Sequence, residues 1–273
     1  MPLHDPTAER PTSFPMAPTT EAWAAMTADD RQAAVNSLPS SVTDWELSPP
    51  EGDRHSGTKN DAKDALEVFF RRRGRGLYVG SDITVYYPAR PRFCPDIFVA
   101  FDVDGHPREK WVVDAEGKGP DWVMEVHVGG DRKKDMVHHP EFYASLGITE
   151  YFVVDRATER LHGWRLTTPS AKHYKPILPQ AGRYTSQVLD LELALEHGQL
   201  RFYFAEAPLA LTRELLARLT DATSEMQTRL EEESRLRAEE SRLRAEEAVA
   251  RANAEAEVAE LRAQLAKLRA EKT

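Results

Sequence analysis

Two acidic residues stand inside apolar runs near the middle of this chain. Asp96 follows Pro95 and opens Asp96-Ile97-Phe98-Val99-Ala100-Phe101, and Glu125 interrupts Trp122-Val123-Met124-Glu125-Val126. A buried, unpaired carboxylate is costly, so each needs an ion-pair partner, a metal or a raised pKa. The plain readings are a turn former after proline for Asp96 and a salt bridge to a nearby arginine for Glu125. If the two strands are neighbours and the carboxylates converge, they supply the oxygen ligands that a divalent metal uses in phosphodiester hydrolysis. His127 is two residues beyond Glu125 and so shares its face of the strand. It could bond a water or a phosphate, ligate a metal, or simply line the rim. Lys133 and Lys134 lie in the basic connection GGDRKKD, as solvated charges or as a lysine reaching the scissile phosphate. His138 and His139 follow, and His138 is expected to face solvent.

The elements that would position these groups are legible from turn residues and periodicity. Residues 1–20, rich in Pro, Thr and Ser, read as a disordered tail, and residues 21–38 as one or two short helices burying Trp23, Met26, Val35 and Leu38. Residues 41–60 are dense in turn formers and read as a loop. A helix is expected from Asp61, with Ala65, Leu66, Phe69 and Phe70 inward. Residues 77–88 alternate like a strand or hairpin, and strands follow at Asp96–Phe101 and Asp121–Val128. A helix over 135–146 ends at Gly147. A strand at Tyr151–Asp155, a hairpin from RLHGWRL and KHYKPI, and LDLELALEHGQLRFYF complete a domain spanning 21–207.

Beyond Pro208 there is no Gly or Pro, and EESRLRA at 232–238 repeats at 239–245. Residues 209–273 therefore read as a long charged helix, laced with i,i+4 pairs such as Glu233/Arg237, Glu240/Arg244 and Glu247/Arg251. Leu236 and Leu243 share a seam position, so the helix is either a coiled coil joining copies of the chain or a solvated single helix.

Composition narrows the function further. The net charge is −9, which disfavours a protein that coats nucleic acid non-specifically. Local basic patches remain at Arg71-Arg72-Arg73 with Arg75 and at Arg132-Lys133-Lys134. The single cysteine, Cys94, excludes an internal disulfide or a multi-cysteine zinc site and fits a reducing cytoplasm. Neither an apolar leader nor a membrane span is expected. The phosphate-loop, dinucleotide and H-E-x-x-H signatures are missing.

The order of elements resembles the PD-(D/E)XK nuclease superfamily, and 40–205 is similar to its Uma-two group of restriction endonucleases. The residues that carry the resemblance are PPEGDRHS at 49–56, Pro95-Asp96, Trp122–Val126 with Glu125, then Asp135, Tyr143 and GITEYFVVD at 147–155. The resemblance implies an α/β fold with a mixed sheet flanked by helices. It also implies Mg²⁺- or Mn²⁺-dependent cleavage of DNA, with Asp96 and Glu125 holding the metal. Two positions depart from the pattern: the helix lysine four before the tyrosine is His139, and the strand lysine two after the glutamate is His127. Lys134 or Lys133 could stand in from the connection, or His127 could orient the water. Otherwise the domain is a degenerate nuclease fold serving as a nucleic-acid-binding or coiled-coil adaptor.

Overall fold

Two threonines start the first helices of the structure, a computed structural model that describes residues 14–41, 52–129 and 132–270. Thr19 accepts from the Ala22 amide at the head of α1 (Thr20–Ala25), and Thr27 forms a reciprocal capping box with Asp30 at the head of α2 (Ala28–Ser37). Lys110 donates to the carbonyls of Val35 and Leu38 at the far end of α2. Leu38 is buried with Ala17, Tyr86 and Val112, whereas Trp23 and Met26 are only half-buried. Of the tail expected to be disordered, residues 1–13 lie outside the described residues. Residues 14–20 are part of the fold, because Ala17 bridges to Pro88 and is buried there.

The elements then run α3 (Asp53–Arg72), β1 (Leu77–Ser81), β2 (Thr84–Tyr86), β3 (Ile97–Phe101), β4 (Lys110–Val112), α4 (Val113–Glu116) and β5 (Trp122–His127). A π-helical turn (Lys134–His138) leads into α5 (His139–Leu146), β6 (Glu150–Asp155), β7 (Arg160–Arg165) and β8 (Lys175–Pro176). The domain finishes with β9 (Tyr184–Ser186), β10 (Leu191–Glu196), β11 (Gln199–Phe204) and β12 (Ala207–Pro208), before helix α6 (Thr212–Ala270). The six-stranded sheet has the order β1-β3-β5-β6-β7-β8 and is mixed: β5 and β6 are parallel, and every other neighbouring pair is antiparallel. A second sheet, β12-β11-β10-β9, is antiparallel.

Every residue of β3, β5 and β6 is buried, as strands covered on both faces require. Leu66 and Phe70 of α3 meet Ile97, Val99, Met124 and Phe152 on one face, together with Leu193 and Phe202 of the second sheet. Phe98, Ala100, Val123, Tyr151 and Val153 meet Val85, Trp111 and Tyr143 on the other. A Cβ at position 163 on β7 would stand 2.6 Å from the buried Phe152 ring, so any other residue there would force that ring to move.

Three expectations need correction. The stretch 41–60 is not one loop: residues 42–51 lie outside the described residues, and 53–60 are the first turns of α3. Tertiary contacts through buried His55 and Lys59 override the weak helix propensity of Ser56, Gly57, Thr58 and Asn60 there. Residues 77–88 form two strands that do not pair with each other. Asp82 takes a left-handed backbone (φ 55) between them, and β2 pairs in parallel with β4. The helix expected at 135–146 is present, but its first turn is π-helical, with the His139 amide donating to the Lys134 carbonyl. Pro140 has no N–H to continue an α-helical ladder, which accounts for the shift. Gly147 ends α5 in the left-handed conformation (φ 81), as expected.

The chain divides into two compact units at Thr212/Arg213. The second unit is helical, and α6 has 59 residues in all. Arg237 pairs with Glu233 and Arg244 with Glu240, each at 2.6 Å, while Arg251 turns to Glu255 rather than Glu247. Leu219, Met226, Leu236, Leu243 and Leu261 are exposed along it. No described helix is long and apolar enough to cross a membrane.

Candidate active site

The antiparallel register of β3 and β5 ends at Ile97 opposite Met124. One step further, it brings Asp96 beside Glu125. The contact is reciprocal: the Asp96 amide donates to Glu125 Oε2 at 3.2 Å, and the Val126 amide donates to Asp96 Oδ2 at 2.6 Å. Both carboxylates are buried, at 8% and 7% exposure. The arginine salt bridge considered for Glu125 does not occur among the described ion pairs. Its other oxygen, Oε1, accepts from the Tyr143 hydroxyl of α5 at 2.7 Å.

Helices supply the rest of the site. His55 Nε2 of α3 lies 3.0 Å from Asp96 Oδ2, and Lys59 Nζ lies 3.6 Å from Asp96 Oδ1. Lys59 also donates to both oxygens of Asp82, at 2.7 and 2.9 Å. His127 is buried on β5 and is tied through Nδ1 to Asp135 Oδ2 at 2.7 Å. That bond orients the ring and leaves Nε2 as the nitrogen able to act on a water. His139 Nδ1 stands 3.4 Å from Asp135 Oδ1 and 3.5 Å from Glu125 Oε1 without a hydrogen bond to either. Its ring packs 5.1 Å from that of Tyr143. His138 is exposed, as expected.

The carboxylates crowd each other electrostatically. Burial holds Glu125 well above the usual carboxylate range and the charge of Asp96 adds to this, against the opposing hydrogen bond from Tyr143. Burial also raises Asp135, against the pull of His127 and Lys134. Burial pushes Asp96 upward too, but His55, the Val126 amide and Lys59 outweigh it and hold Asp96 below its ordinary value. For His139, burial first and the Lys134 cation second push the imidazole down to about 3. Burial thus disfavours the cationic form of His139. Lys134 is half-buried, and its charge acts on Glu125, Asp135 and His139.

The sequence-predicted residues Asp96, Glu125, His127 and Lys134 thus share one neighbourhood. Sequence reasoning missed His55, Lys59 and Asp82. The spacing of His55 and Lys59 at i,i+4 was the available signal, but it lay in a stretch read as loop. Glu150 and Asp155, within the GITEYFVVD block, do a different job. Glu150 is fully buried and accepts from Arg165 Nε, the Ser186 hydroxyl and the Gln187 amide, which fastens the second sheet to the first. Asp155 accepts from the Ala157 and Thr158 amides and from Arg132 at 2.8 Å, and so shapes the turn after β6.

The structure is thus an α/β domain, a mixed sheet with a helix on each face and two carboxylates at adjoining strand positions. The chain belongs to the Uma2 family, whose description is "Putative restriction endonuclease"; the match covers residues 44–200, more than half of the 273. No curated protein matches. Among solved structures, the chain is similar to one described as "a putative nuclease belonging to DUF820 from Anabaena variabilis". The likeness has 12% identity and a TM-score of 0.37, and spans 48% of this chain and 73% of that one.

Proposed function

We propose that this protein is a metal-dependent DNA endonuclease that hydrolyses phosphodiester bonds. The observation that carries the reading is the reciprocal pairing of Asp96 and Glu125, with each residue's backbone or its neighbour's bonded to the other's carboxylate. Membership of a family of nuclease description supports it.

The donor set suits Mg²⁺ or Mn²⁺. Carboxylate oxygens are hard ligands, and each carboxylate has about four lone-pair sites. Only some of those on Asp96 and Glu125 are used by His55, Tyr143 and backbone amides. Three or more metal-ligating side chains do not converge on one point among the described residues. The fit is therefore to an ion held by two protein carboxylates, with waters and substrate phosphate as its other ligands, the usual habit of Mg²⁺. Such an ion supplies a more acidic water and Lewis-acid stabilisation of the phosphate.

The chain's own groups do the rest. Asp96 and Glu125 would hold the ion. Tyr143 and His55 hold the two carboxylates in place. His127, clamped by Asp135, is placed to orient the attacking water. Lys134 offsets negative charge beside Glu125. In the reaction a water oxygen bonds to phosphorus and releases one proton to solvent, the bond from phosphorus to one sugar oxygen breaks with its electron pair, and that oxygen takes up a proton from solvent.

The test is incubation of the full chain with supercoiled plasmid and Mg²⁺ or Mn²⁺, beside Glu125→Ala and an EDTA control. Nicking or linearisation that both controls abolish is expected. Activity retained by Glu125→Ala overturns the assignment. A folded chain inert toward several DNA substrates in either metal favours the adaptor reading. Self-association through α6 belongs to the same proposal and is checked by sedimentation of the full chain beside one truncated at Thr212.

A further inference from the structure

The second turn of α3 carries a lysine whose side chain is only 8% exposed. Seating an ammonium so deeply is unfavourable unless carboxylates match it, and Asp82 and Asp96 do so among the described residues. They differ in kind. Asp96 is buried and bonded to β5, whereas the Asp82 side chain is 59% exposed and belongs to a turn residue with φ 55. Lys59 therefore bridges from the carboxylate pair to the surface. His55, one turn earlier on the same helical face, holds the other oxygen of Asp96. Asp82, Asp96, Glu125 and Lys59 all act electrostatically on the partly buried Cys94 thiol, which places them in one neighbourhood.

We propose that Lys59 is a catalytic residue of this site, its ammonium leaving Asp82 to bond a non-bridging oxygen of the scissile phosphate. The inference rests on the hydrolytic reading above. As water adds to phosphorus and the sugar oxygen departs, negative charge builds on the non-bridging oxygens, and a fixed cation beside them lowers the barrier. Lys59 keeps all its protons throughout. Asp96 then has two duties: it faces the ion, and it keeps the lysine within reach of the phosphate. Positions 127 and 139 are histidines, so neither β5 nor α5 brings a lysine to those two places. Lys59 arrives from α3 instead.

The experiment uses the full chain and the variants Lys59→Ala, Lys59→Met, Lys59→Arg, Lys63→Ala and Lys134→Ala. It measures single-turnover plasmid cleavage in Mg²⁺ over a range of DNA concentrations, and Mn²⁺ binding by titration calorimetry without DNA. Lys59→Met retains the aliphatic stem, and thermal unfolding of each variant shows that its rate is read on folded chain. Lys59→Ala and Lys59→Met are expected to lower the rate at saturating DNA by about 100-fold, with little change in the half-saturating concentration. Lys59→Arg should recover part of the loss, and Lys63→Ala, one turn further along α3, should match the wild type. Mn²⁺ should bind the Lys59→Met chain more tightly, because a like charge beside Asp96 has gone.

An unchanged rate in the Lys59 variants overturns the proposal, as does a loss confined to Lys134→Ala. Weaker Mn²⁺ binding in Lys59→Met also overturns it, since that is the sign of a lysine that merely props Asp96. A wild-type chain that cleaves nothing removes the hydrolytic reading and the role of Lys59 together. A wild type that cleaves beside an unimpaired Lys59→Met removes the second alone.

Discussion

Two glutamates on adjoining parallel strands, Glu125 of β5 and Glu150 of β6, are both buried, yet their surroundings are opposites. Glu150 has an arginine, a hydroxyl and an amide on its two oxygens. Its charge is matched and three donors occupy its oxygens, so it holds two sheets together. Glu125 has a tyrosine hydroxyl and one amide, and it faces the carboxylates of Asp96 and Asp135, with the charge of Lys134 acting the other way. A buried acid surrounded by its matching cation is structural. A buried acid among other acids is the one that would gain most from a ligand bringing positive charge.

The sharpest way to break this comparison is the same change at both positions. Glu125→Gln keeps the shape and is expected to lower cleavage by about 100- to 1,000-fold while the chain stays folded, measured by plasmid cleavage and thermal unfolding. Glu150→Gln is expected to do the reverse. Removing one partner of a buried ion pair costs about 3 kcal/mol or more, read as a lower urea midpoint, while the folded fraction keeps its turnover. If Glu125→Gln proves the more destabilising of the two, the comparison fails.

A ligand test follows from the unmatched charge. At 100 times its dissociation constant, Mn²⁺ should stabilise the wild type by about 2.7 kcal/mol. The shift should vanish in Glu125→Gln and survive in Glu150→Gln.

Asp155 gives a pH test on the structural side. Burial raises its carboxyl, but Arg132 and Thr158 outweigh that and hold it below its ordinary value of 3.8. A depressed acid contributes stability above its unfolded pKa, and that contribution is lost as pH falls through the folded pKa. Asp155→Asn is therefore expected to cost about 1–2 kcal/mol at pH 7, and the difference should shrink below about pH 4. A penalty independent of pH would mean that the turn, not the charge, matters. The smallest effect is expected from Arg132→Ala. Its side chain is 48% exposed, and such pairs are worth about 0–1 kcal/mol.

How far the site could be read from sequence depended on whether the signal was local. Asp96 and Glu125 stood out because each broke an apolar run, and the strand period put His127 on the same face as Glu125. The helix before Gly147 was equally plain. His55 and Lys59 were hidden because their neighbours, Ser56, Gly57, Thr58 and Asn60, have the composition of a loop. What makes them helical is the burial of His55 and Lys59 against Asp96, which no local window contains. The GITEYFVVD block was visible as a block, but nothing local separated the packing role of Glu150 from the chemical setting of Glu125.

The sequence by itself therefore determined the central strands β3, β5 and β6, the long C-terminal helix and the two acids whose burial needed explanation, because periodicity and apolar runs are properties of neighbours along the chain. Only the tertiary structure decided which acids meet one another, which meet an arginine, and which lysine stands beside the pair. Those are matters of distance between residues far apart in the chain, and a carboxylate's role is set by the charges around it.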